Sequence, residues 1–329
     1  MCSATGVARA DAVSTGLLAR RGRVLTVALV VVVATVLAAG PRPAGAAQDN
    51  HRIGEYRVHL KLLHLVDTTR ATPANGSYPG SSERSLPTLL FLPRRSAGND
   101  EQFPLVVFSP GYGSIPEDYE SLLEQWASAG YVVAALNFPL SSEYAPGGTT
   151  LIDVKNQPGD VTFVIEKLIS LDHAHGDPVT NLLDTSRVAV AGHSLGGVTT
   201  LALTANTCCR SLGRLIKAAV VLSAYDYQFE GSGSYFPTDG YHPPTLEVSG
   251  TADPTSPLAD TEATYSQTQR PKYQALMLGA PHVDFGEPWG QVIDRTVVAF
   301  FNAYLAGTGS RAAILHASNV PGVSKGRFN

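Results

Sequence analysis

From residue 55 onward, short apolar runs and amphipathic stretches take turns along the chain, and that alternation constrains the fold more than any single motif. Runs such as 105–108 (Leu-Val-Val-Phe) and 188–191 (Val-Ala-Val-Ala) are continuously apolar, as strands buried on both faces must be. Between the runs the spacing turns helical. Tyr119, Leu122, Leu123 and Trp126 stand at i, i+3, i+4 and i+7, as do Val161, Val164, Ile165 and Leu168. Parallel strands need long crossovers, and helices of this length supply them. The expected class is therefore α/β, a mostly parallel central sheet with helices on both faces. Strands are predicted at 56–66, 86–92, 105–108, 131–136, 188–191, 218–222, 245–249 and 273–278. Helices are predicted to start at Pro116 and, capped by its carboxylate, at Asp160, and to cover 194–206, 257–267 and 292–305. One domain is expected over 47–329, with a loose tail after Gly307.

Chemistry concentrates where strand 188–191 meets helix 194–206, in Gly192-His193-Ser194-Leu195-Gly196-Gly197. A nucleophilic serine must stand clear of the sheet on a sharp turn, and flanking glycines let the backbone crowd there without Cβ clashes. The helix that follows points its N-terminus at the site, which favours negative charge on a substrate oxygen. Serine alone is a weak nucleophile and needs a base and an orienting acid. The strand at 245–249 runs into Gly250-Thr251-Ala252-Asp253-Pro254, and the next one into Gly279-Ala280-Pro281-His282. Asp253 and His282 thus fall at the same sheet edge as Ser194, in the chain order expected on such a sheet. Asp226, after the preceding strand, is the competing acid. His193 is expected to pack beneath the turn.

An oxyanion site requires backbone amides. Leu195 N–H, next to the serine, is one; the other is expected at Tyr112, in Ser109-Pro110-Gly111-Tyr112-Gly113 after strand 105–108. Two long connections, 139–158 and 224–243, border this edge. The second carries Tyr225, Tyr227, Phe229, Tyr235, Phe236 and Tyr241, which suggests an apolar acyl or aromatic-ester pocket, with Tyr112 and Tyr225 as substrate contacts.

These residues resemble those of the α/β-hydrolase superfamily over essentially the whole chain after residue 47. Phe108-Ser109-Pro110-Gly111-Tyr112, the segment 192–197, Gly250-Thr251-Ala252-Asp253 and Pro281-His282-Val283-Asp284-Phe285 look like secreted bacterial esterases. Three groups come nearest: platelet-activating-factor-acetylhydrolase-like, dienelactone-hydrolase-related and cutinase-like polyester hydrolases. Val66-Asp67-Thr68-Thr69-Arg70 with Arg84-Ser85-Leu86-Pro87 looks like the first of these. The resemblance implies a serine esterase or lipase with Ser194, Asp253 and His282 as triad, an acyl-enzyme, and the Tyr112 and Leu195 amides as oxyanion donors. The chain also departs from those groups. Dienelactone hydrolases proper use a cysteine nucleophile; polyester hydrolases commonly carry methionine after the serine and a disulfide near the C-terminus. Here Leu195 follows Ser194, and Cys208-Cys209 lies elsewhere. A serine peptidase, an acyltransferase and an inactive binding protein on the same fold are the alternatives.

Residues 1–46 read as an address. Arg20, Arg21 and Arg23 precede the stretch 24–39, which is apolar but for Thr26 and Thr35; Gly40, Pro41 and Pro43 break it before Ala44-Gly45-Ala46-Ala47. That is the pattern of a secretory signal peptide, cleaved after Ala46 or Ala47 and by either the general or the twin-arginine route. Its apolar run would reach only about 24 Å as a helix, against a ~30 Å hydrocarbon core. Without it the chain holds 19 basic and 27 acidic residues, a net charge of −8, which argues against nucleic acid as a partner. The expectation is an exported monomer with no retained membrane anchor, acting on a small-molecule or polymeric ester without cofactor or metal. His173 and His175 have ligand-like spacing, but no acid or cysteine is organised around them. Of the three cysteines Cys2 leaves with the signal; Cys208 and Cys209 could bond to each other, pair with another chain or stay as thiols.

Overall fold

The apolar runs become the strands of one sheet. They are β1 (Val58–Asp67), β2 (Arg84–Pro93), β3 (Phe103–Ser109), β4 (Val132–Leu136), β5 (Leu183–His193), β6 (Ile216–Leu222), β7 (Thr245–Gly250), β8 (Lys272–Met277) and β9 (Ser324–Phe328). This computed structural model describes residues 52–96, 98–282 and 285–329, so the stretch read as a signal peptide lies outside the described residues. The sheet order is β1-β2-β4-β3-β5-β6-β7-β8-β9. From β4 to β8 neighbouring strands run parallel. The hairpin β1–β2 joins antiparallel at one end and β9 at the other.

Period-2 alternation splits each central strand between two cores. Val106 and Phe108 of β3 face the cluster built on α1 (Glu120–Ser128) and α5 (Gly290–Phe301), with Leu123, Trp126, Ile293 and Val297. Leu105 and Val107 face the other side, where α2 (Gln157–Asp172) contributes Val161, Val164, Ile165 and Leu168. Two further helices, α3 (Leu195–Ala205) and α4 (Leu258–Gln267), follow β5 and β7. This is the α/β-hydrolase architecture. Among the described residues no helix is long and apolar enough to cross a membrane.

Two expectations are corrected. The segment after Gly307 is not loose: α6 (Arg311–Ser318) packs on α5, and β9 pairs with β8 from Tyr273↔Phe328 to Met277↔Ser324. The Arg311 guanidinium sits 3.8 Å from the centre of the Phe328 ring, whose other neighbour is Tyr273 at 4.6 Å. Asp160 does not cap α2 but lies within its first turn, fully buried, because its carboxylate serves Arg84 instead. Arg84, itself 1% exposed at the start of β2, bonds Asp160 through Nε and Nη2 at 2.7 and 2.6 Å and Asp153 at 2.9 Å. Arg70 adds a contact to Asp160 at 2.8 Å and one to Asp67 at 2.6 Å. The network ties the antiparallel edge to the turn ahead of α2. The two cysteines are joined as a Cys208–Cys209 disulfide just past α3.

Candidate active site

Ser194 sits between β5 and α3 with φ 53° and ψ −119°, a left-handed φ that side-chain-bearing residues rarely adopt. The turn holds because its amide donates to Leu222 O at 2.9 Å and because Gly192 and Gly196, two residues to either side, lack side chains. A Cβ on Gly192 would collide with the carbonyl of Gly196, and one on Gly196 with the carbonyl of Ser109. That second close approach seats the N-terminus of α3 against the loop after β3. Leu195 is the first residue of α3, so its amide has no helical acceptor. In the facing loop, Gly111 N–H donates to Tyr119 Oη at 3.1 Å and Gly113 N–H to Ser141 O at 2.7 Å. The Tyr112 amide between them has no protein acceptor among the described residues.

Asp253 and His282 come together at the ends of β7 and β8. His282 Nδ1 lies 2.8 Å from Asp253 Oδ2. The other carboxylate oxygen accepts the amides of Thr255 and Ser256, both at 2.8 Å, so the acid is fixed from behind. The Asp253 side chain is fully buried, whereas His282 is 24% exposed and open to a substrate. Asp226 is placed elsewhere: its carboxylate accepts from Thr264 Oγ1 of α4 at 3.0 Å, and its amide donates to the same hydroxyl. Among the described residues the Ser194 hydroxyl has no hydrogen-bond partner; ligand-free sites commonly leave that contact long.

His193 does pack beneath the elbow. Its ring lies 4.9 Å from that of His282 and 5.3 Å from that of Phe285, and Nδ1 meets Tyr119 Oη at 2.9 Å. Burial, reinforced by neighbouring His282, pushes its imidazole down to about 3, so it is neutral at any ordinary pH. Tyr119 as the residue joining the loop after β3 to the elbow was not foreseen, since in the sequence it reads only as one apolar position on a helix face.

Beside Ser194 opens a pocket of about 270 Å³, its wall formed by Tyr112, Leu151, Leu195, Val198, Tyr225 and Tyr227. The Tyr112 ring is held over it by a hydrogen bond from its hydroxyl to Thr149 O at 3.0 Å. Of the six aromatics in the 224–243 connection, only Tyr225 and Tyr227 reach this wall. Phe229, Tyr235 and Phe236 pack into a small core with α3, and Tyr241 lies under Arg214 at 4.9 Å. His173 is exposed beyond the end of α2, 3.9 Å from Asp172 and far along the chain from the site.

Comparison with curated proteins finds platelet-activating factor acetylhydrolase of Bos taurus, 28% identical over 140 residues. The match covers 31% of this chain and 32% of that protein, so the chain spans about a third of that relative's length. Residues 90–312, more than half of the chain and including the elbow, Asp253 and His282, match the family described as PETase: PET hydrolase-like, and to that α/β-hydrolase family this chain belongs.

Proposed function

We propose that the chain is an exported serine carboxylic-ester hydrolase acting on apolar acyl or aromatic esters through an acyl-enzyme on Ser194. The observation that carries the reading is the 2.8 Å contact between His282 Nδ1 and a buried carboxylate whose second oxygen is already committed to two amides. A carboxylate held in that way dictates the tautomer, with the His282 proton on Nδ1 and Nε2 free to act as base.

Ser194 Oγ attacks the ester carbonyl carbon as His282 Nε2 takes its proton. The electron pair displaced onto the carbonyl oxygen is received by the Tyr112 and Leu195 amides. The tetrahedral adduct collapses, the C–O bond to the alcohol breaks, and His282 returns the proton to the leaving oxygen. Water then repeats the sequence on the acyl-enzyme, releasing the acid and restoring the serine.

The pocket wall of leucine, valine and tyrosine suits an apolar acyl or aryl group beside the nucleophile. Family membership supports ester hydrolysis and makes polyester a substrate worth testing.

Fluorophosphonate labelling followed by peptide mapping tests the nucleophile: a single adduct on Ser194 is expected, lost in Ser194→Ala together with several powers of ten in turnover. Ester hydrolysis within about tenfold of wild type in folded Ser194→Ala would overturn the assignment. A nitrophenyl-ester chain-length series, run beside a peptide and a polyester film, sorts the substrate classes. Export is tested by N-terminal sequencing of protein recovered from the medium, with Ala47 or Gln48 as the expected first residue.

A further inference from the structure

Tyr119 and His193 stand behind the site, and proton counting fixes how they are joined. Gly111 N–H can only donate, so Tyr119 Oη must accept from it at 3.1 Å. The phenol can then give its one proton to His193 Nδ1, 2.9 Å away, which accepts when the ring's own proton sits on Nε2. That tautomer puts the His193 proton on Nε2, a buried nitrogen with no hydrogen-bond partner among the described residues. Burial of the ring next to His282 keeps it neutral, as an acceptor at Nδ1 must be.

The three groups join separate parts of the site. Gly111 precedes Tyr112 in the oxyanion loop, His193 precedes Ser194 in the elbow, and the phenol is the bolt between them. Past Tyr112 the loop is tied by backbone bonds from Gly113 to Ser141 O and from Ser114 to Gly111 O; the Gly111 amide ahead of it is tied through a side chain. We infer that Tyr119, held by His193, is a positioning residue that sets the Tyr112 amide at a fixed separation from the Leu195 amide for the oxyanion. Removing the hydroxyl releases the 110–111 peptide, whose N–H it holds, and lets the Gly111 torsions shift the Tyr112 amide that follows. Such a loss is felt where charge develops on the carbonyl oxygen, so it appears in the transition state and hardly in ground-state binding.

The inference rests on the serine-hydrolase reading above, and the experiment separates the two. Wild type, Tyr119→Phe, His193→Leu, His193→Asn and Tyr131→Phe are compared for thermal melting, kcat and KM on a nitrophenyl ester, and affinity for a boronic acid that forms a tetrahedral adduct. Tyr131 is the control: another buried tyrosine hydroxyl of the same core, bonded to Asn302 Oδ1 at 2.7 Å beside the start of β4, whereas the site lies at the strands' C-terminal ends. Tyr119→Phe is expected to lower kcat roughly ten- to hundredfold and weaken the boronate in proportion, with KM within about twofold. His193→Leu should match it. His193→Asn, whose Oδ1 stands where Nδ1 does and can take the phenol proton, should recover most of the loss. Tyr131→Phe should melt earlier with kcat unchanged. A folded Tyr119→Phe with wild-type kcat, or a loss shared equally by Tyr131→Phe, overturns the positioning role alone. A wild type that neither labels with fluorophosphonate nor hydrolyses ester overturns it together with the functional reading.

Discussion

Asp253→Asn separates geometry from charge more cleanly than any other substitution at this site. Asparagine can place its carbonyl oxygen where Asp253 Oδ1 now accepts the Thr255 and Ser256 amides at 2.8 Å each, so the turn survives. Its amide nitrogen then occupies the position of Oδ2, 2.8 Å from His282 Nδ1. An amide N–H₂ is a donor, so Nδ1 must be bare and the ring proton moves to Nε2, the atom that has to receive the proton of Ser194. The imidazolium formed in the transition state also loses its counter-charge. Together these effects should cost about 10⁴ in kcat, which at ~1.4 kcal/mol per tenfold is about 5.5 kcal/mol of transition-state stabilisation. The loss in folding stability should be far smaller, on the order of 1 kcal/mol, since the hydrogen-bond count at the turn is unchanged. The assay is nitrophenyl-ester turnover on purified variants whose melting is recorded in parallel. Asp226→Asn is the comparator; its carboxylate serves Thr264, so turnover should stay within about threefold of wild type. If folded Asp253→Asn keeps turnover within about tenfold while Asp226→Asn is nearly dead, the acid has been assigned to the wrong loop.

Two further expectations concern stability. Arg84→Met leaves the Asp153 and Asp160 carboxylates buried with only part of their compensation, since Arg70 still reaches Asp160. A loss of about 3–5 kcal/mol in urea unfolding is expected, and a loss under about 1 kcal/mol would mean the network does not hold the edge in place. Glu247 in β7 is fully buried, with one carboxylate oxygen bonded by Thr268 Oγ1 at 2.7 Å and the other unpartnered, and burial raises its carboxyl from 4.5 to about 8. The folded chain therefore holds that proton more tightly than the unfolded one, and stability falls as pH rises from about 4.5 to about 8, by on the order of 1 kcal/mol per pH unit. Glu247→Gln should flatten that slope in denaturant titrations at pH 5 and pH 8.5; an unchanged slope would refute the assignment.

What could be read from the chain and what could not divide along a physical line. The central strands were legible because burial on both faces leaves an unbroken apolar signature, and α1 and α2 because each buries one stripe. The strand Ser324–Phe328 was not, because it is a short edge strand with Lys325 and Arg327 facing outward, a composition that resembles a tail. Only its pairing with β8 and the stacking of Phe328 between Tyr273 and Arg311 make it a strand, and both partners lie far off in sequence. The reading of Asp160 failed for a related reason. An acid at a helix start is normally there for the dipole or the cap, and its burial against Arg84, 76 residues earlier, is a tertiary fact.

The site follows the same division, with a consequence for how it works. Ser194, Asp253 and His282 could be placed because strand ends are punctuated by glycine and proline, and those residues are tied to turn geometry wherever they occur. The preference for Asp253 over Asp226 came from the chain alone, since a short turn fixes a carboxylate better than the head of a long connection; the hydrogen bonds behind it came from the fold. A short turn can spend one carboxylate oxygen on its own amides and offer the other to a partner, and Asp253 does so. An acid at the head of a long connection has no such anchor and is taken by whatever packs nearest, here Thr264 of α4. The Tyr119–His193 bond was beyond reach because neither residue breaks a pattern, one being an apolar position on a helix and the other an elbow filler. The two proposed oxyanion donors are thus fixed differently: Leu195 by the helix that begins at it, Tyr112 by a loop to which a side chain 7 residues further on contributes one bond. The helix is held by its whole hydrogen-bond ladder and the loop by a few separate bonds, Gly111 to Tyr119, Gly113 to Ser141 and Ser114 to Gly111, so on the proposed mechanism the Tyr112 side is where small changes in packing translate into changes in rate.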